Sequence, residues 1–395
     1  MILIRNGALF APESLGKKDL LIGGNQIIAI EETIDPKRVP GEIRVIDALG
    51  MVVVPGFIDG HQHFTGGGGE GGFHTRTPEM QLSMNIANGV TTAVGLLGTD
   101  SLTRTVESLY AKTRAFNAEG MTAYMLTGSY WLPSPTVCGT VGRDLVYLDP
   151  VIGVKLAMAD QRGPHFDAHD LARLASDVRV AALVADKPGI ITVHVGVNPD
   201  ALDLIFEVVE HHAVRPDIFI PTHINRKNSK ATDQALALAE RGTVIDATCM
   251  ATIPVDDPEN QSSEKLCAAD FSVIADEHRL FDQVTFSSDA GGSLPIWNKD
   301  RSRILGMGIG TPESLLVELR HLVKTRGMAL ERALKPLTTT PARIYGLTGK
   351  KGAIQVNAHA DILVLDPDDL GIRDVVAKGQ IMMNNGKLEK KGYFE

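Results

Sequence analysis

Cysteine is scarce in this chain of 395 residues: Cys138, Cys249 and Cys267 are the whole complement, and no CxxC pair lies among them. So small and odd a set builds no disulfide framework and reads as reduced, packed thiols of a cytoplasmic protein. Positive charge is not in excess either. The formal net charge is -9, and no basic patch offers itself to nucleic acid or to an anionic membrane. No apolar run approaches the ~20 residues of a membrane span. The opening MILIRNGALF lacks a signal-type apolar region before KKD arrives. Low-complexity tracts and short repeats are missing too. What remains is an ordinary globular composition, 44% hydrophobic and 22% charged, at a length suited to one large α/β barrel with a small companion.

The two ends of the chain read alike. ILIRNGALF, DLLIGGNQIIAIE and IRVIDALG are short β-rich runs separated by turn residues, and ADILVLD and IRDVVAKGQIMMNNGKL repeat the pattern near the C-terminus. The expectation is one small β-sandwich domain assembled from both ends, residues 1–55 plus 347–395. Between them, over 56–346, strand-like runs alternate with amphipathic stretches such as 101–120 and 200–212. The strands drawn are MVVVPGFIDG, GVTTAVGLLG, MTAYMLTGSY, VIGVKLAMAD, GIITVHVG, DIFIPTHIN, TVIDATC and VTFSSDAG. Eight such βα units predict a (β/α)8 TIM-like barrel, with a doubly wound open sheet as the competitor.

Barrel strands deliver reactive residues at their C-terminal ends. There the sequence places His61 and His63, then Thr99, Tyr130, Lys155, His194, His223 and Asp289, with strand seven supplying nothing nameable. His61 and His63 are i and i+2 on an extended segment, so both imidazoles project to one side and can share a metal. An HxH pair also arises by chance, and a single strand-end histidine is more often a packed core residue. Four histidines and an aspartate, all at strand ends, form a metal-site pattern. Lys155 sits in an apolar strand, where an ammonium is costly. The bland alternative is an outward-facing surface lysine. Beside metal ions, a lysine converted by carbon dioxide to a carbamate would instead be an anion with two oxygens.

After the HxH comes GGGGEGG, residues 66–72. No GK[ST] follows it, so it is not a phosphate-binding loop, and no helix is expected directly after it. A plain linker is the simple reading. At the mouth of a barrel, however, glycines let backbone groups approach a small ligand closely.

HxH after PGFID, a lysine on strand four, histidines on strands five and six and an aspartate on strand eight resemble the amidohydrolase superfamily. GGGGE, GLLGTDS, MLTGSYWLPSPT, VIGVK, PTHINR and SSDAGGS are similar, more narrowly, to the isoaspartyl (β-aspartyl) dipeptidases, and the likeness spans nearly the whole chain. It implies two Zn2+ ions per subunit, one held by His61, His63 and Asp289 and the other by His194 and His223, bridged by carboxylated Lys155 and a hydroxide. That hydroxide would attack the side-chain amide carbonyl, with Asp289 moving the proton to the leaving amine and Tyr130 donating to the oxyanion. The dipeptide's ammonium would go to Glu70, helped by Thr99 and the backbone near Gly68. Its two carboxylates would go to Arg162 and Arg226, with Ser293 adding a hydroxyl. The resemblance further implies a homo-oligomer, an octamer being possible.

Two other readings stand beside it. One is an amidohydrolase acting on a cyclic amide or an N-acyl amino acid, of dihydroorotase, hydantoinase or deacylase type. The other is a non-catalytic assembly scaffold, disfavoured because all six metal-ligand positions are present. The stretch CMATIPVDDPEN (249–260) matches no familiar pattern and leaves the preferred second residue open. His165, His169, His211, His212, His278, His321 and His359 show no evident partner in the sequence and read as structural or solvated.

Overall fold

In the computed structural model, which describes residues 1–198, 200–225, 229–249, 266–298 and 302–395, the run MVVVPGFIDG drawn as one strand is two. Val52–Pro55 stays with the terminal segments, and Phe57–Gln62 begins the barrel. Gly56 marks the break: a Cβ there would stand 2.2 Å from Thr91 Oγ1, so only bare backbone passes this point.

The barrel strands are β1 (Phe57–Gln62), β2 (Val90–Gly95), β3 (Thr122–Gly128), β4 (Val151–Met158), β5 (Ile190–Val195), β6 (Phe219–Thr222), β7 (Ile245–Thr248) and β8 (Val284–Ser287). They lie in chain order, each parallel to the next. Every residue of β2, β4 and β5 is buried, as expected of parallel strands covered by helices outside and side chains within. The seam between β8 and β1 is drawn together by a parallel bridge from Gln62 to Ala290. Across it, Asp59 Oδ1 accepts from the Ser288 amide at 3.1 Å, and its other oxygen accepts from the Ser288 hydroxyl. That order and that seam belong to a (β/α)8 barrel and exclude the doubly wound sheet.

The helices start and stop where local chemistry dictates. The amphipathic stretch 101–120 contains the helix Val106–Glu119, opened by the Thr105 side chain accepting from the Ser108 amide and ended by left-handed Gly120. The stretch 200–212 contains Asp203–His211. Among the described residues, no helix is long and apolar enough to cross a membrane.

Nine strands from the two ends form one sheet. Val52–Pro55 pairs parallel with Ile2–Phe10 and antiparallel with Ile362–Leu365, so the C-terminal segment enters beside the last strand before the barrel. Its residues alternate between faces. Val52, Val54, Leu363 and Leu365 join the core shared with the barrel, whereas Val53, Ile362 and Val364 pack with Ile2, Ile4, Leu20 and Ile22 on the opposite face.

Candidate metal centre and active site

The strand ends bring the six expected donors into one largely buried cluster. Ligand atoms of His61, His223 and Asp289 lie within 4.8 Å of one another. His63 Nε2 stands 3.0 Å from Asp289 Oδ1, and Lys155 Nζ stands 3.4 Å from His61 Nε2. His194 joins through ring packing on His223, their centroids 4.8 Å apart. The backbone is bent to achieve this. His223 and Asp289 both hold left-handed conformations, with φ of 66° and 53°. Such conformations cost about 1–3 kcal/mol each and gather at functional sites.

The chemistry of the donor set suits a divalent metal. Burial, with the Lys155 charge second, holds the His61 imidazole well below its usual range, so it is the neutral ligating form. Burial and its own hydrogen bond pull Asp289 in opposite directions. The hydrogen bond to His63 and the basic groups around it prevail and hold the carboxylate well below its usual range. Lys155 is fully buried, and among the described residues no carboxylate lies at ion-pair distance from its Nζ. Burial brings its amine down to about 7 against the pull of Asp289 and Asp246. An amine neutral near pH 7 is the form that carbon dioxide carboxylates. The second nitrogens of two histidines are held from behind, His223 Nδ1 by Thr248 Oγ1 at 2.6 Å and His61 Nδ1 by Thr222 Oγ1 at 3.4 Å. Hydroxyls in that position orient imidazoles toward a metal. His63 Nδ1 is buried without a hydrogen-bond partner among the described residues.

Beside the donors lies a chain of polar contacts. Tyr130 Oη meets His194 Nδ1 at 2.7 Å, and Asp160 Oδ2 meets His194 Nε2 at 2.9 Å. Asp160 also grips Arg162 in a fork, from Nε at 2.9 Å and Nη2 at 2.7 Å. The remaining Arg162 nitrogen, Nη1, donates to Glu70 at 3.2 Å. Ser293 Oγ donates to both Glu70 oxygens, at 3.2 and 3.0 Å. The guanidinium is pinned charged: burial works against it, but Asp160, Tyr130 and Glu70 push its pKa above the usual value. Ser293 owes its place to a hairpin absent from the sequence reading, Ser293–Trp297 paired with Ile304–Ile309.

The glycine loop arches over this array because it must be bare. Gly66 and Gly68 have φ of 76° and 77°, and a Cβ on them would meet Thr77 O at 2.4 Å and Thr75 O at 2.5 Å respectively. Gly98 and Gly292 face His63 in the same way, with added Cβ atoms only 2.7 Å from Cε1 and 2.9 Å from Cδ2. The loop is not a loose linker. Arg104, 8% exposed, donates to the carbonyls of Thr65, Gly67 and Thr77, and a single 3-10 turn, Phe73–Thr75, follows directly where no helix was expected. Thr99 is half-buried four residues past β2, next to Asp100, whose carboxylate takes Arg76 at 2.8 Å. Arg226 and, beyond Cys249, the 249–260 stretch lie outside the described residues.

Strand seven is not silent. Asp246 is buried on β7 and accepts from Thr222 Oγ1 at 2.6 Å and Ser287 Oγ at 2.7 Å, tying β6, β7 and β8 together. Burial raises it to about 7 despite those bonds. Thr248 on the same strand backs His223. Asp160, two residues past β4 and two before Arg162, closes the run VIGVKLAMAD and so carried a positional signal. Thr248, Asp246 and Arg104 carried none. Of the histidines read as partnerless, His321 meets Asp270 at 3.0 Å, and His169 packs edge-on against His212.

Comparison with known proteins adds the following. A model described as "Amidohydrolase family" matches residues 52–385. A β-aspartyl dipeptidase from the thermophilic keratin degrader Fervidobacterium islandicum AW-1, solved with β-Asp-Leu dipeptide, superposes with a TM-score of 0.91 at 36% identity, over 98% of this chain and 97% of that one. The dihydroorotase of Streptococcus pyogenes serotype M3 is 23% identical over 404 residues, 92% of this chain and 90% of its own. A dihydropyrimidinase from Brevibacillus agri NCHU1002 shares the fold, with a TM-score of 0.70 at 17% identity over 99% and 96% of the two chains.

Proposed function

The chain belongs to the amidohydrolase family of hydrolytic enzymes, and from that premise we propose that it is a metal-dependent dipeptidase acting on β-aspartyl dipeptides. The observation that carries this reading is Glu70, held by Ser293 and Arg162 in the glycine loop above the donor cluster. A β-aspartyl dipeptide brings one ammonium and two carboxylates. An acid facing a guanidinium at the mouth reads that mixture of charge. Dihydroorotate and N-carbamoyl-aspartate bring no cation, so Glu70 would meet only negative charge.

In this reading His61, His63, carboxylated Lys155, His194, His223 and Asp289 hold two zinc ions. Bound metal of this kind lowers the pKa of its water toward ~7 and polarises the scissile carbonyl. The chain's own residues do the rest. Glu70 takes the α-ammonium, with Thr99 and the backbone near Gly68 beside it. Asp160 occupies two Arg162 nitrogens, which leaves Nη1, donating to Glu70 in the free site, to turn to a substrate carboxylate. Arg226 is assigned the other carboxylate. Asp289 accepts the proton of the attacking water on a carboxylate oxygen and passes it to the leaving nitrogen. Tyr130 turns its hydroxyl from His194 to the oxygen of the side-chain amide as charge develops there. The expected cytoplasmic location and homo-oligomeric assembly belong to the same proposal.

The test is hydrolysis of β-Asp-Leu, α-Asp-Leu and dihydroorotate by the zinc-loaded protein. Selective cleavage of β-Asp-Leu is expected. Turnover of dihydroorotate with β-Asp-Leu untouched would install the second reading, which the overall similarity to the streptococcal dihydroorotase favours.

A further inference from the structure

Outside the barrel, the helix leading into β8 (Ala268–Glu277) packs beside the helix Glu313–Arg320. Three side chains of different donor chemistry converge there. The sulfur of Cys267, a carboxylate oxygen of Asp270 and a ring nitrogen of His321 all lie within 4.8 Å of one another. Each has a reason to be where it is. Cys267 caps its helix, the sulfur accepting from the Asp270 amide at 3.3 Å. His321 opens a π-helical turn, His321–Thr325, a rare widening that is found often at functional sites. Glu318, 3% exposed, accepts from the Ala269 amide at 2.9 Å and lies against the Cys267 sulfur. Arg326 and His321 both address Oδ1 of Asp270, at 2.5 and 3.0 Å.

We propose that Cys267, Asp270 and His321 form a separate binding site for a thiophilic divalent cation of the zinc or cadmium type, with Glu318 or water completing the shell. One sulfur, one imidazole nitrogen and one carboxylate oxygen make a mixed set of the kind zinc takes in tetrahedral geometry. Bonds of ~2.0–2.3 Å to such donors require only small closing rotations from the present separations. The local field also favours a cation. Burial first, then the Glu318 and Asp270 charges, push the Cys267 thiol up to about 12: lost hydration disfavours the thiolate, and the two carboxylates repel it. The Glu318 and Asp270 carboxylates attract a dication, which would share Asp270 with the Arg326 guanidinium. On binding, the sulfur–metal bond replaces the sulfur–hydrogen bond and the proton leaves to solvent. The ion would fasten the helix before β8 to the turn after Glu313–Arg320.

Cadmium offered to the full-length, zinc-loaded protein tests this, read by the ultraviolet charge-transfer band of a cadmium–thiolate bond. The donors at the barrel mouth contain no sulfur, so exchange there is silent in this band. One equivalent is expected to produce it. Cys267→Ser is expected to abolish the band, and His321→Gln, at a partly exposed position, to weaken cadmium binding roughly ten-fold or more. Peptidase activity is expected to be unchanged in both variants. Absence of the band in the wild type, its survival in Cys267→Ser, or equal affinity in His321→Gln would each overturn the proposal and leave Asp270, His321 and Arg326 as an ion-pair fastening.

Discussion

At the scale of single residues, the mouth of the barrel is a balance of charges that a substrate must enter without upsetting. Glu70 and Arg162 compensate each other at 3.2 Å, and Ser293 holds the acid in place. On the proposed reading, replacing Glu70 by Gln removes a charge-assisted contact to an incoming ammonium, worth about 1.5–3 kcal/mol. The expected result is a roughly 10- to 100-fold fall in kcat/KM for β-Asp-Leu, with metal content unchanged by elemental analysis. Discrimination against an N-acetylated substrate should shrink by the same factor. Unaltered discrimination would remove Glu70 from amine recognition. In the proposed mechanism Tyr130→Phe acts on the other end of the reaction. Losing one oxyanion donor costs about 10²–10³ in kcat, with KM little changed, and single-turnover kinetics would separate the two effects. The residues that make these arguments were legible as chemical types at strand ends: imidazoles, a carboxylate, a lysine out of place. Their supports were not. Thr248 and Arg104 belong to no spacing pattern, and their roles exist only once β7 lies beside β6 and the glycine loop has folded back over them.

At the scale of the element, a strand of the barrel is specified twice, by its apolar run and by the polar residue buried within it. The runs were read from the sequence, so all eight strands were drawn, yet β1 was drawn too long because the apolar pattern continues through Val52–Pro55 into a different sheet. Only the close approach of Gly56 to Thr91 separates them, and one sequence does not display that contact. Asp246 shows the second kind of specification. Its folded pKa, about 7, lies above the value near 3.9 of an unfolded aspartate. The folded state therefore binds more protons than the unfolded state between about pH 4 and 7. The stability this group contributes is fully present below pH 4 and is lost as pH rises through 7. In Asp246→Asn that dependence disappears. Relative to the wild type, the variant should gain stability from pH 4 to pH 7, by as much as roughly 4 kcal/mol. Urea unfolding of both proteins at several pH values measures the difference. A constant difference would mean that Thr222 and Ser287 keep Asp246 ionised throughout.

At the scale of the whole molecule, the question is whether the terminal sheet is a companion to the barrel or a wall of it. Composition and turn spacing showed that both ends are β-rich, but not that their strands interleave, since a pairing such as Val54 with Leu363 joins residues from opposite ends of the chain. The alternation within that pair of strands gives the answer its physical form. Leu363 and Leu365 belong to the same continuous core as Phe57, Val90 and Phe116, whereas Ile362 and Val364 belong to the outer face. Even Gly89, at the turn into β2, would meet Leu363 Cδ1 at 2.8 Å if it carried a Cβ. A core that crosses from sheet to barrel makes their unfolding one event. Leu363→Ala leaves a cavity in that shared layer and should cost about 2–5 kcal/mol. In scanning calorimetry the whole endotherm is then expected to move to lower temperature without splitting. An endotherm that splits, with one part unshifted, would mean that the barrel stands without the sheet. The seam through Leu363 and Gly89 would then be a contact between two independently folded bodies, and the (β/α)8 scaffold would hold the geometry of its strand-end donors by its own strands alone.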